Sequence, residues 1–305
     1  MNTNIYISPH FDDAVFSCPA SMINDIKNGV HVIVITVFSN NGSRSSAENM
    51  LRRAENNAAL NLLKAQSIEL GYDDAPHRNN YYNSFNKLIF QRHSDDNIEL
   101  TCDIKKKINT LCDQYSPAMI YAPLGVGTHI DHRLCFEAMS QITNHQVSFY
   151  EDRPYCFALH SVEARLKMIG VDLNANSIFE SILNKQYIDE HIKSFTNMPY
   201  VKKYLTEKRD KEKCFDTITH QIKNNYLIRY SAIENIMSFS FENKNEILEI
   251  TSEYKSQILP FIVSINKYSQ QLDKYSRSIS DNNCINERYW KLLEVIKHLI
   301  SVSSF

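Results

Sequence analysis

Short apolar, β-branched runs alternate with helical stretches through the first 150 residues, and that alternation limits the folds open to the chain. "NIYIS" reads as a buried strand, followed by "DDAVFSCPASMINDIKNG" as a helix ending at Gly29. "HVIVITVFS" reads as a second strand, "AENMLRRAENNAALNLLKA" as a helix and "SIELGY" as a third strand. Residues 98–115 are expected to be helical and "AMIYAPL" to be a fourth strand. "GVGTHIDHR" is then a loop, "LCFEAMSQI" a helix and "QVSFYED" a fifth strand. Strands separated by helices cannot pair as hairpins. The pattern therefore predicts an α/β fold, a Rossmann-like and mostly parallel sheet with helices on both faces. Beyond about residue 160 the chain turns helical and polar, rich in Lys and Asn. It is expected to divide into a core at 1–160 and a mainly helical C-terminal lobe at 161–305, packed on that core.

Composition excludes several classes. Hydrophobic residues make up 43% of the 305, enough for a full core. A formal charge of −2 leaves no electrostatic footprint for nucleic acid. No run approaches the roughly 18 apolar residues of a membrane span. The start, "MNTNIYIS", lacks the basic-then-apolar pattern of a secretory signal. The seven cysteines are odd in number, scattered and without a CxxC pair, which predicts reduced thiols and a cytoplasmic setting. Nothing in the composition decides the oligomeric state, and an oligomer remains possible.

Two polar clusters stand where strands end. "SPHFDD" places His10, Asp12 and Asp13 directly after the first strand. A helix N-cap accounts for one of these aspartates, not for two beside a histidine. "THIDHR" places His129, Asp131 and His132 after the fourth strand. In parallel sheets, ligands sit beyond the carboxyl ends of strands. His10 and Asp13, three apart at a strand-to-helix turn, face one way, and His132 can join them. Three protein ligands with a fourth position for water is the layout of a catalytic zinc. Asp12 and Asp131 would then stand beyond the ion. One can act as base on the attacking water and the other can orient a histidine. Gly125 and Gly127 are a close pair in a chain with six glycines, which suggests a sharp bend or a close approach. Two rival motifs fail: HxHxDH lacks its first histidine at Gly127, and GxGxxG lacks its third glycine at Ile130.

The motifs Ser8-Pro9-His10-Phe11-Asp12-Asp13 and His129-Ile130-Asp131-His132 resemble those of the PIG-L/LmbE-like zinc-dependent N-acetylglucosaminyl deacetylases. "RRAENNAALNLL", "LGYDDAPHR", "YEDRPYCF", "YKSQI" and "ERYW" resemble further segments of that family's bacterial branch. The resemblance implies one Zn²⁺ per chain on His10, Asp13 and His132. It implies that Asp12 is the general base and later the acid, and that His129 stabilises the oxyanion. It implies that Arg53 and Asp74 hold sugar hydroxyls, with Arg52 and Asp73 as adjacent alternatives. Ala14 stands where many members have Glu, and Pro19 where this branch has Gly. The activity implied is hydrolysis of an N-acetyl group from a small-molecule amino sugar, natural product or envelope precursor. The alternatives are a zinc amidase on a non-sugar amide or thiol conjugate, and an inactive binding scaffold.

Overall fold

The computed structural model describes residues 2–42, 46–78, 81–90, 95–172, 185–205, 208–223 and 229–294. Its centre is a seven-stranded sheet in the order β3-β2-β1-β4-β5-β7-β6. The strands are β1 (Thr3–Ser8), β2 (His31–Thr36), β3 (Gln66–Glu69), β4 (Met119–Pro123), β5 (Val147–Tyr150), β6 (Tyr230–Ser240) and β7 (Cys284–Glu294). The first five in that order are parallel. β7 runs antiparallel to β5, and β6 antiparallel to β7. Ile5 registers with Ile33 on one side and Ile120 on the other.

The helices are α1 (Asp13–Ser17), α2 (Pro19–Lys27), α3 (Ala47–Leu63), α4 (Phe85–Phe90), α5 (Asp95–Tyr115), α6 (Ile130–Ser140) and α7 (Ser161–Ile169). Then come α8 (Lys185–Thr196), α9 (Pro199–Tyr204), α10 (Lys208–Lys223), α11 (Lys244–Ser252), α12 (Lys255–Gln257) and α13 (Ile265–Ile279). They cover both faces of the sheet, so the central strands are buried on both sides, as a parallel sheet requires. Alternation along β1 divides the interior: Ile5 and Ile7 join one core, Tyr6 the other.

The expected helix over residues 12–29 is interrupted at Cys18. Pro19 has no N–H to continue a helix, and it disfavours helical backbone at the residue before it. It occupies the first position of a new helix instead. The loop expected through Arg133 ends early. α6 starts at Ile130 with His129 as its N-cap, so Asp131 and His132 lie on its first turn.

The division at residue 160 needs correction. The C-terminal part contributes helices α7–α13, but also β6 and β7, which extend the same sheet as β1–β5. These two 11-residue strands mix polar and apolar positions and pair with each other along their whole length. They therefore lack the continuous apolar signature of the central strands. Buried polar contacts tie them to the first half. Glu287 accepts from the Ala20 and Ser21 amides at the start of α2 and from the Tyr289 hydroxyl. Trp290 donates its indole N–H to Glu151, and Tyr268 donates to the Phe16 carbonyl. The guanidinium of Arg153, 2% exposed, donates to Phe16 O and Asn286 O and lies 3.8 Å from Glu287. Among the described residues, six cysteines are free thiols. No helix among them is long and apolar enough to cross a membrane.

Removing the Glu287 carboxylate would strand the α2 amides and the Arg153 charge in the interior. Glu287→Ala is expected to lower stability by about 3 kcal/mol or more, read as a fall in the urea midpoint.

Candidate active site at the switch point of the sheet

The strand order reverses at β1 and β4, which are neighbours whose connections leave in opposite directions. A crevice opens there beyond the strand ends. The β1 loop carries His10, Asp12 and Asp13, and the β4 loop carries His129, Asp131 and His132.

Each loop is shaped by its own side chains. The Ser8 hydroxyl donates to the His10 carbonyl and accepts from the Ala14 amide at 3.0 Å. The His10 amide donates to Asp13 Oδ2 at 2.7 Å. Asp12 occupies the N-cap position of α1, yet its side chain makes no capping bond and faces the crevice. In the β4 loop, Gly125 and Gly127 have φ of +81° and +86°. A Cβ on Gly127 would stand 2.5 Å from the Tyr155 ring, so the glycine permits both the left-handed turn and the close approach.

His10, Asp13 and His132 come together as a group whose ligand atoms all lie within 4.8 Å of one another. Asp13 Oδ2 is 3.0 Å from His10 Nδ1 and 3.3 Å from His132 Nε2. Two donors at zinc bonding distance and a tetrahedral angle stand about 3.3 Å apart, so the donor set and its spacing fit such an ion. The remaining imidazole nitrogens are held by carboxylates. His132 Nδ1 meets Asp152 Oδ1 at 2.6 Å, and His10 Nε2 meets Asp131 Oδ2 at 3.1 Å and Asp74 Oδ1 at 3.3 Å. Such partners set the tautomer and aim of a metal-binding histidine. His10, His129 and Asp131 form a second group of this kind. There, however, Asp131 is already engaged by the Ala75 amide and by Arg78, whose charge 2.5 Å away opposes a cation.

The electrostatics follow from burial and charge. Burial disfavours a charged His132, but Asp13 and Asp152 outweigh it and push its pKa up to about 10. Burial raises the Asp13 carboxyl, yet His132 and His10 hold it well below the usual carboxylate range. Burial, then the adjacent Asp13 charge, raises Asp12. Burial pushes His129 down to about 4, so its ring is neutral near pH 7. Its Nδ1 accepts from the Asp131 amide at 3.3 Å, which leaves the proton on Nε2.

The structure separates the two adjacent arginines. Arg53 turns away to a fork on Glu69, with Nε to Oε1 at 2.8 Å and Nη2 to Oε2 at 2.8 Å. Arg52 lines the crevice instead, with Nη2 3.3 Å from Asp12 and Nη1 3.7 Å from Asp74. Asp74 lines it too, while Asp73 accepts from the Asn40 side chain at 2.5 Å. Asp131 is fully buried behind His10.

Asp152 is the main residue that sequence reasoning passed over. Besides holding His132, it accepts from the Gly125 and Val126 amides through Oδ2, each at 2.8 Å. Its signal is its place just past the fifth strand, the position that the other two clusters hold relative to β1 and β4. The crevice is completed by Phe16, Arg153, Pro154 and Tyr155, and by Gln257, Phe261 and Ile262 from far along the chain.

Residues 5–143 match the model of the PIG-L family, described as GlcNAc-PI de-N-acetylase. Residues 5–143 are thus similar to that family. Solved structures share its fold beyond that segment. The zinc-inhibited form of teicoplanin deacetylase aligns with a TM-score of 0.66 at 18% identity, over 97% of this chain and 100% of that one. The A40926 pseudoaglycone deacetylase gives 0.61 at 18% identity, over 95% and 96%. A conserved protein from Thermus thermophilus gives 0.50 at 12% identity, over 99% of each chain. At these identities the likeness is one of fold. Among curated protein sequences, none matches. Both strand-end clusters lie within the matched segment, whereas Asp152 and the C-terminal crevice residues fall outside it.

Two substitutions probe this arrangement. Asp152→Asn removes the charge behind His132, and metal affinity is expected to fall about 10–100-fold in a chelator competition. Gly127→Ala forces a Cβ against Tyr155 at a left-handed backbone position. It is expected to lower Tm, with a cost of at least about 1 kcal/mol.

Proposed function

We propose that this chain is a metal-dependent hydrolase that removes the N-acetyl group of a small-molecule amino sugar. The observation that carries the reading is the convergence of His10, Asp13 and His132 on one point of a crevice that Asp12, His129 and Arg52 also line. The PIG-L match supports it. So do the fold neighbours, which are deacetylases of teicoplanin and of A40926 pseudoaglycone. We assign one Zn²⁺ per chain to His10, Asp13 and His132. When bound, it would polarise the amide carbonyl and make water acidic enough to ionise near neutral pH.

The chain's own residues supply the remaining steps. Asp12 is not bound to the helix it precedes, so its carboxylate is available to take a proton from the attacking water. Oxygen adds to the acetyl carbon, and negative charge develops on the carbonyl oxygen. His129, neutral and protonated on Nε2, donates to that oxygen without desolvating a charge. The C–N bond then breaks. The proton held by Asp12 passes to the departing amine, and acetate leaves. Asp131 and Asp74 keep the His10 ring in place from behind. Arg52, between Asp12 and Asp74, is the cation placed to meet a sugar hydroxyl, the role the family resemblance gave to Arg53. The buried free thiols support a cytoplasmic setting.

Acetate release from a panel of N-acetyl sugars and non-sugar N-acetyl amides, with metal content measured on the same preparation, tests the assignment. Turnover of the amides alone would replace the sugar reading with a general amidase. Asp12→Asn is expected to retain its metal while kcat falls by about 10²–10⁴. Arg52→Ala is expected to raise KM more than it lowers kcat, and Arg53→Ala to leave KM near the parent value.

A further inference from the structure

A second void adjoins the loop after β4. Thr128 lines it, and the next residue, His129, lines the crevice. Thr128 has φ of +60°, a conformation that a β-branched residue adopts at a cost. Another wall is one face of α7, where Ser161 and Arg165 lie four apart and so point the same way. His191 and Phe195 of α8 and Ile218 of α10 close it. The void leaves about 10 Å³ for the centre of a water-sized sphere, which is room for one such body.

The polar lining supplies donors and no negative charge. Ser161, the first residue of α7, is 3% exposed, and its Oγ has no hydrogen-bond partner among the described residues. Arg165 is buried too. Its described partners are the Leu124 carbonyl, which accepts from Nε at 2.9 Å, and the Phe136 ring, 4.9 Å from the guanidinium carbon. Neither partner is charged. Burial, then the charge of Arg133, lowers the Arg165 pKa to about 10 against the pull of Glu137 and Asp152, so the group is still protonated at neutral pH. His191 donates from Nδ1 to the Leu159 carbonyl at 3.0 Å, and burial lowers its pKa to about 4, so its ring is neutral. No acidic side chain is among the described residues that line the void. The positive end of the α7 dipole lies at Ser161, and the N-cap, His160, makes no side-chain bond to that turn.

A water would satisfy the Ser161 hydroxyl but leave the Arg165 charge unmatched, and a buried charge is costly without a counter-charge. An anion answers both. Sulfate, phosphate and acetate have too many atoms for the space. We propose that the void binds one monatomic anion of chloride's size, with the Arg165 guanidinium and the Ser161 hydroxyl donating to it. The site is separate from the crevice and does not rest on the deacetylase reading.

The test follows thermal unfolding of the full chain as sodium chloride replaces sodium gluconate at constant ionic strength. Tm is expected to be higher by at least about 2 °C in chloride, with the gain levelling off as one site fills, and sodium bromide is expected to act alike. Crystals grown in sodium bromide are expected to show an anomalous peak between Arg165 and Ser161. Arg165→Gln is expected to abolish the chloride effect, and Ser161→Ala to weaken the apparent chloride affinity by at least about threefold. Ser161→Ala removes only a hydroxyl, so it reports even if Arg165→Gln fails to fold. Equal Tm in the two sodium salts, or a chloride affinity untouched in Ser161→Ala, would overturn the proposal. So would an ordered water in the void of the bromide crystals. Bromide found elsewhere on the protein and not in the void would be an adventitious ion only, and would overturn it as well.

Discussion

One buried carboxylate ties the loop after β4 and the first turn of α6 to the segment that follows β5. Asp152, at the end of β5, holds the His132 imidazole with one oxygen and the Gly125 and Val126 amides with the other. The loop that delivers His129 and the helix that delivers His132 are therefore referenced to the same atom group. A fully buried charge is tolerated only when its lone pairs are satisfied, and here three donors meet it. The two glycines of the loop follow from this. The backbone must turn left-handed and pass against Tyr155 and Arg165 to present its amides. Both glycines of this loop, Gly125 and Gly127, thus have one physical cause.

The site also depends on residues more than two hundred positions downstream. β7 joins the sheet beside β5, Glu287 ends in the amides of α2, and Arg153 reaches across to Asn286. These contacts make the C-terminal part a structural completion of the first five strands rather than an appended module. They also carry the segment 255–263 to the crevice, where it supplies a wall that the PIG-L segment lacks.

Within the crevice, neighbouring groups of one chemical type take different tasks because their surroundings differ. Asp12 and Asp13 are adjacent, but Asp13 is locked by two imidazoles and the His10 amide, while Asp12 is left to face the opening. Asp13 and Asp152 outweigh burial at His132, whereas burial outweighs Asp131 and Asp74 at His129. The opposite shifts of these two histidines arise from position alone.

The parallel sheet, the two strand-end clusters and the convergence expected of them are legible in the chain alone, because strand periodicity and i, i+3 spacing are local properties. The break at Cys18 was local too, and is explained by Pro19. The rest follows from long-range packing. Arg52 and Arg53 are successive residues of one helix, about 100° apart around its axis. Which of them faces the crevice depends on where α3 sits against β2 and β3. Asp152 lies in a segment whose meaning emerges when β5 is placed beside β4. β6 and β7 were missed because their apolar positions are shared between the sheet, its helices and solvent, so no single period marks them. Phe261 and Ile262 reach the crevice only through long-range packing, and local pattern carries no information about contacts of that sequence separation.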